Sequence, residues 1–223
     1  MKPVSLTING QEIAAREGEK LLWAALDNGI YIPNLCALRD KPEPEAACRL
    51  CFVEVDGNDK PVTACTEDIR EGMVVNTRGE KSLKLARAGF DLLMASHKVD
   101  CAHCAANRSC ELQKIARHLG CKLKTTHLRQ LLRNLPVDDS NPFFIYDPNK
   151  CVLCGRCVYI SRQRLKTGVL GYAHRGFERM VTTFADEPIG ADRCLECDEL
   201  VSVCPTGALS YKDGQKAAKD RAA

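Results

Sequence analysis

Cysteine spacing limits this chain more than any other feature. Fourteen cysteines occur in 223 residues, and pairs separated by two intervening residues recur at Cys48/Cys51, Cys101/Cys104, Cys151/Cys154, Cys154/Cys157 and Cys194/Cys197. Such pairs grip one small object from a tight loop better than they cross-link distant segments. Cysteine-dense chains are either secreted disulfide frameworks or reduced chains whose thiolates bind metal. The opening "MKPVSLTINGQEIAAREGEK" has no apolar h-region and no cleavage site, so it is not read as a secretory signal. No window reaches the length of a membrane span. A cytoplasmic, metal-loaded protein is the expectation. Hydrophobic residues make up 45% with the cysteines counted, and aromatics only 5%. Without the cysteines the apolar share falls to roughly two-fifths, below the usual globular share. Something other than side-chain packing is then expected to help hold the chain together. A net charge of +3 is too mild to imply a nucleic-acid binder.

Residues 1–78 read as a small mixed α/β unit. "VSLTI" and "QEIAA" flank Asn9-Gly10, a good hairpin signal. "EKLLWAALDNG" reads as a short helix with Leu22, Ala25 and Leu26 on one face and Gly29 placed to end it. Strand-like "FVEVDG", "PVTACT" and "MVVNT" follow. Residues 80–97 read as a second helix, with Leu83, Ala86, Phe90, Leu93 and Met94 as a core-facing stripe. "CELQKIARHLG" resumes a helix after the next cysteine loop. From Glu111 to Arg133 there are six Lys/Arg against one acid. That run reads as a solvated face or as a docking face for an acidic partner. The divisions are 1–78, 79–135 and 142–212, the last with two cysteine segments separated by a strand-like "VLGYAHRGFERMVTTF". The tail, 213–223, is polar and expected to be flexible.

The cysteines sort into four constellations. Cys36, Cys48, Cys51 and Cys65 supply the four thiolates, two per iron, that a [2Fe–2S] cluster needs. Ala46, Ala47 and Ala64 beside them let the backbone approach. A zinc site has the same ligand count but usually shows two short knuckles, and only one pair is close here. The second set is Cys101, Cys104 and Cys110 in "HKVDCAHCAANRSC". It is one ligand short, and His97 ends a helix just before the loop. Imidazole can replace thiolate on iron, although spacing alone does not separate a cubane from a Cys₃His zinc site. His103, His118, His127 and His174 keep the default reading of surface or packed residues. The third set is Cys151, Cys154 and Cys157 in "CVLCGRCV", completed by Cys204 in "CPTGAL". Bacterial ferredoxins likewise take the fourth ligand from a distant Cys-Pro. The fourth is incomplete. Cys194 and Cys197 stand in "CLECDELVSVCP", but Leu200 and Ser161 occupy the two remaining ligand positions, so the pair reads as a relic ferredoxin half that binds no cluster. Cys121 is read as a buried small apolar residue.

"HKVDCAHCAANRSCELQ" resembles the His/Cys cluster segment of the large iron–sulfur subunit of respiratory complex I. Similar segments occur in the small diaphorase subunit of NAD-reducing hydrogenases, in iron-only hydrogenases and in some formate dehydrogenases. The motif order resembles these chains over residues 3–211. The resemblance implies an α+β architecture: a β-grasp [2Fe–2S] ferredoxin domain, a His/Cys [4Fe–4S] segment with His97 as a true ligand, and a bacterial ferredoxin-like [4Fe–4S] domain. It implies one [2Fe–2S] and two [4Fe–4S] clusters. Related chains often carry two complete cubane sites in the last domain; this one has a single full set.

No Gly-rich nucleotide loop, nucleophile–base pair or open metal site is read in the sequence. The expectation is therefore a non-catalytic electron-transfer subunit of an oxidoreductase complex. It would relay electrons between a flavin subunit that handles NAD(H) and a separate catalytic subunit, with membrane association only through partners. Two alternatives from other classes are a zinc-stabilised interaction module and a redox-sensing regulator. Colour separates zinc from iron, since iron–sulfur protein is brown and bleaches on reduction.

Overall fold

The structure, a computed structural model, describes residues 2–125, 127–190 and 198–212. Cys194 and Cys197 lie outside the described residues. The chain divides into two compact units, one of residues 1–93 and 115–122, the other of 94–114 and 123–223.

In the first unit, β1 (Pro3–Ile8) and β2 (Gln11–Arg16) pair as an antiparallel hairpin. Asn9 and Gly10 turn it with φ of 52° and 82°. Both angles lie in the left-handed region that a two-residue hairpin turn requires and that Asn and Gly tolerate. Strand alternation sends Val4, Leu6 and Ile8 inward, joined by Ile13. α1 (Leu21–Asp27) then buries Leu21, Leu22, Ala24 and Ala25, while Leu26 is only partly covered. The buried face is thus rotated from the expected stripe. β3 (Phe52–Val55), β4 (Val62–Thr63) and β5 (Val74–Asn76) complete a five-stranded sheet in the order β2-β1-β5-β3-β4. β1 runs parallel to β5, and the other pairs are antiparallel. The sheet closes on α1 around one apolar core, the β-grasp arrangement.

α2 (Glu80–Ser96) starts where the Glu54 carboxylate accepts the Ser82 N–H at 3.0 Å, so the sheet itself caps the helix. Ala86, Phe90 and Met94 are buried, with Leu83 and Leu93 half-buried, as the spacing predicts. α3 (Glu111–Leu119) buries Leu112, Ile115, Ala116 and Leu119. The division between the units falls inside both α2 and α3.

The second unit carries β6 (Phe144–Tyr146), α4 (Arg156–Tyr159), β7 (Gly171–Ala173), β8 (Met180–Thr182), α5 (Asp198–Ser202) and β9 (Leu209–Tyr211). β6 pairs antiparallel with β9, and β7 with β8. The stretch read as one strand-like segment is therefore a hairpin. His174 and Gly176 reverse it with φ of 61° and 56°, and the Arg179 guanidinium lies 4.0 Å above the Tyr172 ring across the pair. The α+β class holds in both units.

One helix position is set by the first cysteine loop. A Cβ added at Gly89 would lie 2.5 Å from the Arg49 carbonyl oxygen, which is backbone and cannot swing aside. Gly→Ala inside a helix ordinarily stabilises by about 1 kcal/mol. Here the clash reverses the sign, and Gly89→Ala should destabilise the first unit by about 1–3 kcal/mol. Denaturant unfolding of the two proteins checks this; a more stable variant would refute the close approach.

Candidate metal centres

Cys36, Cys48, Cys51 and Cys65 come together at the edge of the β-grasp core, all of them buried. They are paired two and two. The Cys36 thiol donates to the Cys48 sulfur at 3.5 Å, and Cys51 and Cys65 share a second such bond. In each pair one sulfur keeps the proton. The bond to Cys48 and burial push Cys36 up, while accepting that bond pulls Cys48 down to about 6. Cys51 is pushed up and Cys65 pulled down in the same way. Ala46 and Arg49, on either side of Cys48, take left-handed φ of 49° and 54°. Such backbone costs of order 1 kcal/mol or more per residue and persists where a loop must be shaped for a site.

The second loop descends from the end of α2. Cys101–His103 form a single tight turn, and Asn107 N–H closes the next on the Cys104 carbonyl at 2.9 Å. Gln113 clamps the loop from α3: its Oε1 accepts Arg108 N–H at 2.8 Å and its Nε2 donates to Asn107 at 2.9 Å. Burial pushes the Cys110 thiol up, and Cys104 and Cys101 add to the effect.

His97 follows directly after α2. Its Nδ1 is buried without a hydrogen-bond partner, and burial lowers its pKa, keeping the ring neutral. A neutral imidazole with an unshared buried nitrogen is the form that binds metal. The other histidines have ordinary neighbours. His103 meets Asp100 at 2.9 Å, His174 meets Asp186 at 3.2 Å, and His118 stacks edge-on with Tyr31 at 4.9 Å. His127 has a backbone bond to Thr125.

In the third set, the Cys151–Cys157 loop turns through Leu153 and Gly155, with φ of 54° and 77°, into α4. Leu153 N–H donates to the Cys151 sulfur at 3.4 Å, and the Arg156 and Val158 N–H groups serve Cys154 and Cys157. Burial nonetheless pushes Cys151 up to about 11 and Cys154 up to about 12, with Cys204 adding to both. Cys157 is raised in the same way.

The second and third sets meet, which the sequence did not signal. A Cβ at Gly207 would lie 2.4 Å from the Cys104 sulfur and 3.7 Å from Lys150 Cδ. Thr206 Oγ1 donates to the Lys150 carbonyl at 3.0 Å, and Glu111 N–H, opening α3, donates to the Pro205 carbonyl at 3.0 Å. Cys121, expected to be buried, is half-exposed, with its thiol 3.8 Å from the Leu119 carbonyl.

Among the described residues, no three His, Cys, Asp or Glu side chains converge as one metal ion requires. A cluster asks for something different, because its ligands go to different irons. The paired thiols of the first set suit two irons with two thiolates each. The orphan His97 nitrogen and the N–H-lined sulfurs of the third set are likewise donors suited to cluster iron. Three family models match the chain. Residues 1–80 match a 2Fe-2S iron-sulfur cluster binding domain, and residues 87–123 an NADH-ubiquinone oxidoreductase-G iron-sulfur binding region. Residues 141–210 match the ferredoxin-like domain of NADH-quinone oxidoreductase subunit 3. The chain is homologous to the iron–sulfur region of these subunits.

The NADPH-Fe(3+) oxidoreductase subunit alpha of Geobacter sulfurreducens is 34% identical over 94% of this chain and 24% of its own length. The NADP-reducing hydrogenase subunit HndD of Solidesulfovibrio fructosivorans is 32% identical over 94% of this chain and 36% of its own. The 78 kDa mitochondrial NADH-ubiquinone oxidoreductase subunit of Neurospora crassa is 29% identical over 94% and 28%. This chain thus spans about a quarter to a third of these relatives. A chain of an NAD+-reducing [NiFe]-hydrogenase in its H2-reduced state superposes with a TM-score of 0.79 at 28% identity, over 95% of this chain and 88% of that one.

The thiol shifts in the third set fix a pH dependence. With Cys151 near 11 and Cys154 near 12, both hold their protons at neutral pH in the iron-free chain. Ligation needs thiolates, so iron bound at these sulfurs would expel those protons and would be favoured as pH rises. Anaerobic iron and sulfide loading in weak buffer should release protons, and a Cys151→Ala/Cys154→Ala chain should release fewer. Equal release by both would refute the assignment of buried, protonated thiols.

Proposed function

We propose that the chain is an electron-relay subunit of an oxidoreductase complex, passing single electrons between a flavin subunit that handles NAD(H) and a separate catalytic subunit. In this reading Cys36, Cys48, Cys51 and Cys65 hold a [2Fe–2S] cluster. His97, Cys101, Cys104 and Cys110 hold one [4Fe–4S] cluster, and Cys151, Cys154, Cys157 and Cys204 another. The observation that carries it is the meeting of the second and third ligand sets at Gly207 and Lys150. Two redox centres held in neighbouring loops of one unit are what a relay needs, with the chemistry at either end supplied elsewhere. The names of the relatives, subunits of NADH-quinone oxidoreductases and of an NADP-reducing hydrogenase, support the same role. Among the described residues no helix is long and apolar enough to cross a membrane. We place the complex in the cytoplasm, with any membrane association carried by partners.

The domain reading goes with it: a β-grasp ferredoxin part over 1–78, a His/Cys segment over 79–135 and a ferredoxin-like part over 142–212. Ser161 and Leu200, at the ligand positions of the incomplete half, are fully buried. Ser161 Oγ already accepts Leu170 N–H at 3.1 Å, and leucine has no donor atom. That supports three clusters rather than four.

Anaerobic purification of the intact complex tests the role. The chain should come with a flavin-containing, NAD(H)-linked subunit; a lone monomer that itself reduces a substrate would overturn the reading. The protein should be brown and hold about 10 irons, against about 14 for a fourth cubane. A colourless, zinc-containing protein would favour the interaction-module alternative. His97→Ala should lose one [4Fe–4S] signal by electron paramagnetic resonance and keep the other two centres, because alanine preserves the helix end. Unchanged iron content and spectra would make His97 a bystander.

A further inference from the structure

We propose that the Lys150 ammonium acts on both cubane sites at once, holding their reduction potentials above the values their ligands alone would set. This rests on the relay reading. Each electron that enters a cluster adds one negative charge, so a fixed cation nearby favours the reduced form. The effect grows where the cation is withdrawn from water.

Lys150 is built into the junction of the two sets. It immediately precedes Cys151, and its carbonyl accepts the hydroxyl of Thr206, whose Oγ1 lies 3.8 Å from the Cys204 sulfur. Its side chain runs toward the other set, where Cδ and the Cys104 sulfur crowd the same face of Gly207. The residue after His97 is tied in too, through Lys98 N–H donating to the Asn149 carbonyl at 2.9 Å. The ammonium is held by Asp147 Oδ2 at 3.2 Å, with the two side chains only 17% and 13% exposed. Asp147 is itself fixed. Its Oδ1 accepts Asn149 N–H and Nδ2 at 3.0 and 2.9 Å, and its own N–H donates to the Ala208 carbonyl at 2.7 Å. The cation is therefore held rigidly rather than swinging in solvent, and its partly cancelling anion provides a second handle. A merely structural ion pair would fasten this turn without discriminating between oxidised and reduced clusters.

Redox titration of the anaerobically loaded full chain, followed by electron paramagnetic resonance, tests this with three variants. Lys150→Gln removes the cation and leaves the anion, so both [4Fe–4S] midpoints should fall while the [2Fe–2S] midpoint stays. The expected shift is of order tenfold in the reduced-to-oxidised ratio, about 59 mV for one electron. Lys150→Arg keeps the charge and should stay near the parent values. Asp147→Asn leaves the cation uncancelled and should raise both midpoints. Unmoved cubane midpoints in Lys150→Gln, or equal shifts in the Gln and Arg variants, would overturn the proposal. If Lys150→Gln fails to load iron, Asp147→Asn decides alone: a rise supports the proposal, no change or a fall overturns it. Absence of two [4Fe–4S] signals from the parent chain would overturn the relay reading itself.

Discussion

Burying several sulfurs together is the constraint on which the rest of this structure depends. A thiolate in a low-dielectric pocket is costly, and neighbouring thiolates repel, so a protein without metal keeps the protons on. Both responses are visible here. The first set splits into pairs that share protons between Cys36 and Cys48 and between Cys51 and Cys65. The third set holds its protons against backbone N–H groups that are already aimed at the sulfurs. N–H groups pointing at sulfur are of little use to a neutral thiol and of much use to a thiolate. The loops are thus arranged for the charged form, and cationic iron is what makes that form affordable.

Part of the left-handed backbone lies in the cysteine loops. Ala46, Arg49, Arg108 and Leu153 all take left-handed φ, and all lie inside cysteine loops. None of them is glycine, so none relieves the steric cost through its own side chain. The surrounding elements hold them. Gly89 of α2 presses on the Arg49 carbonyl, and Gln113 of α3 bonds both Asn107 and Arg108. Helices that look like ordinary core elements therefore also shape the sites beside them.

The tight cysteine loops were legible in the sequence because close cysteine spacing is a local property. The hairpin at Asn9-Gly10 was legible for the same reason: the turn chemistry sits in two adjacent residues. The β7–β8 hairpin was not. Its turn lies at His174 and Gly176, inside an alternating run that reads through as one strand, and only the left-handed angles reveal the reversal. The rotated face of α1 was missed because a seven-residue helix offers too few turns to fix its phase. The contacts made by Gly207 and Lys150 were out of reach for a different reason. Each depends on Cys104, far away in sequence, and no residue pattern near "CPTGAL" or "DPNKC" announces a neighbour from another loop.

Ser161 and Leu200 show a way of filling the interior that needs no metal. A fold of this kind leaves space beside each of its short helices, and something must fill it. Around α4 that space is lined by sulfur, with Cys151, Cys154 and Cys157 on the loop and helix. Elsewhere in the same unit stand Ser161 and Leu200, both fully buried. Ser161 turns its hydroxyl to Leu170 N–H and its carbonyl to Thr167 and Gly168 N–H, so its polar atoms serve the backbone. Leu200, Ile160 and Leu170 supply apolar volume. Packing and backbone hydrogen bonds need no external cation, whereas thiolates do. At Ser161 and Leu200, burial and backbone hydrogen bonds therefore fill the interior with no charge left to balance, whereas the sulfurs around α4 are buried against N–H groups that suit a thiolate.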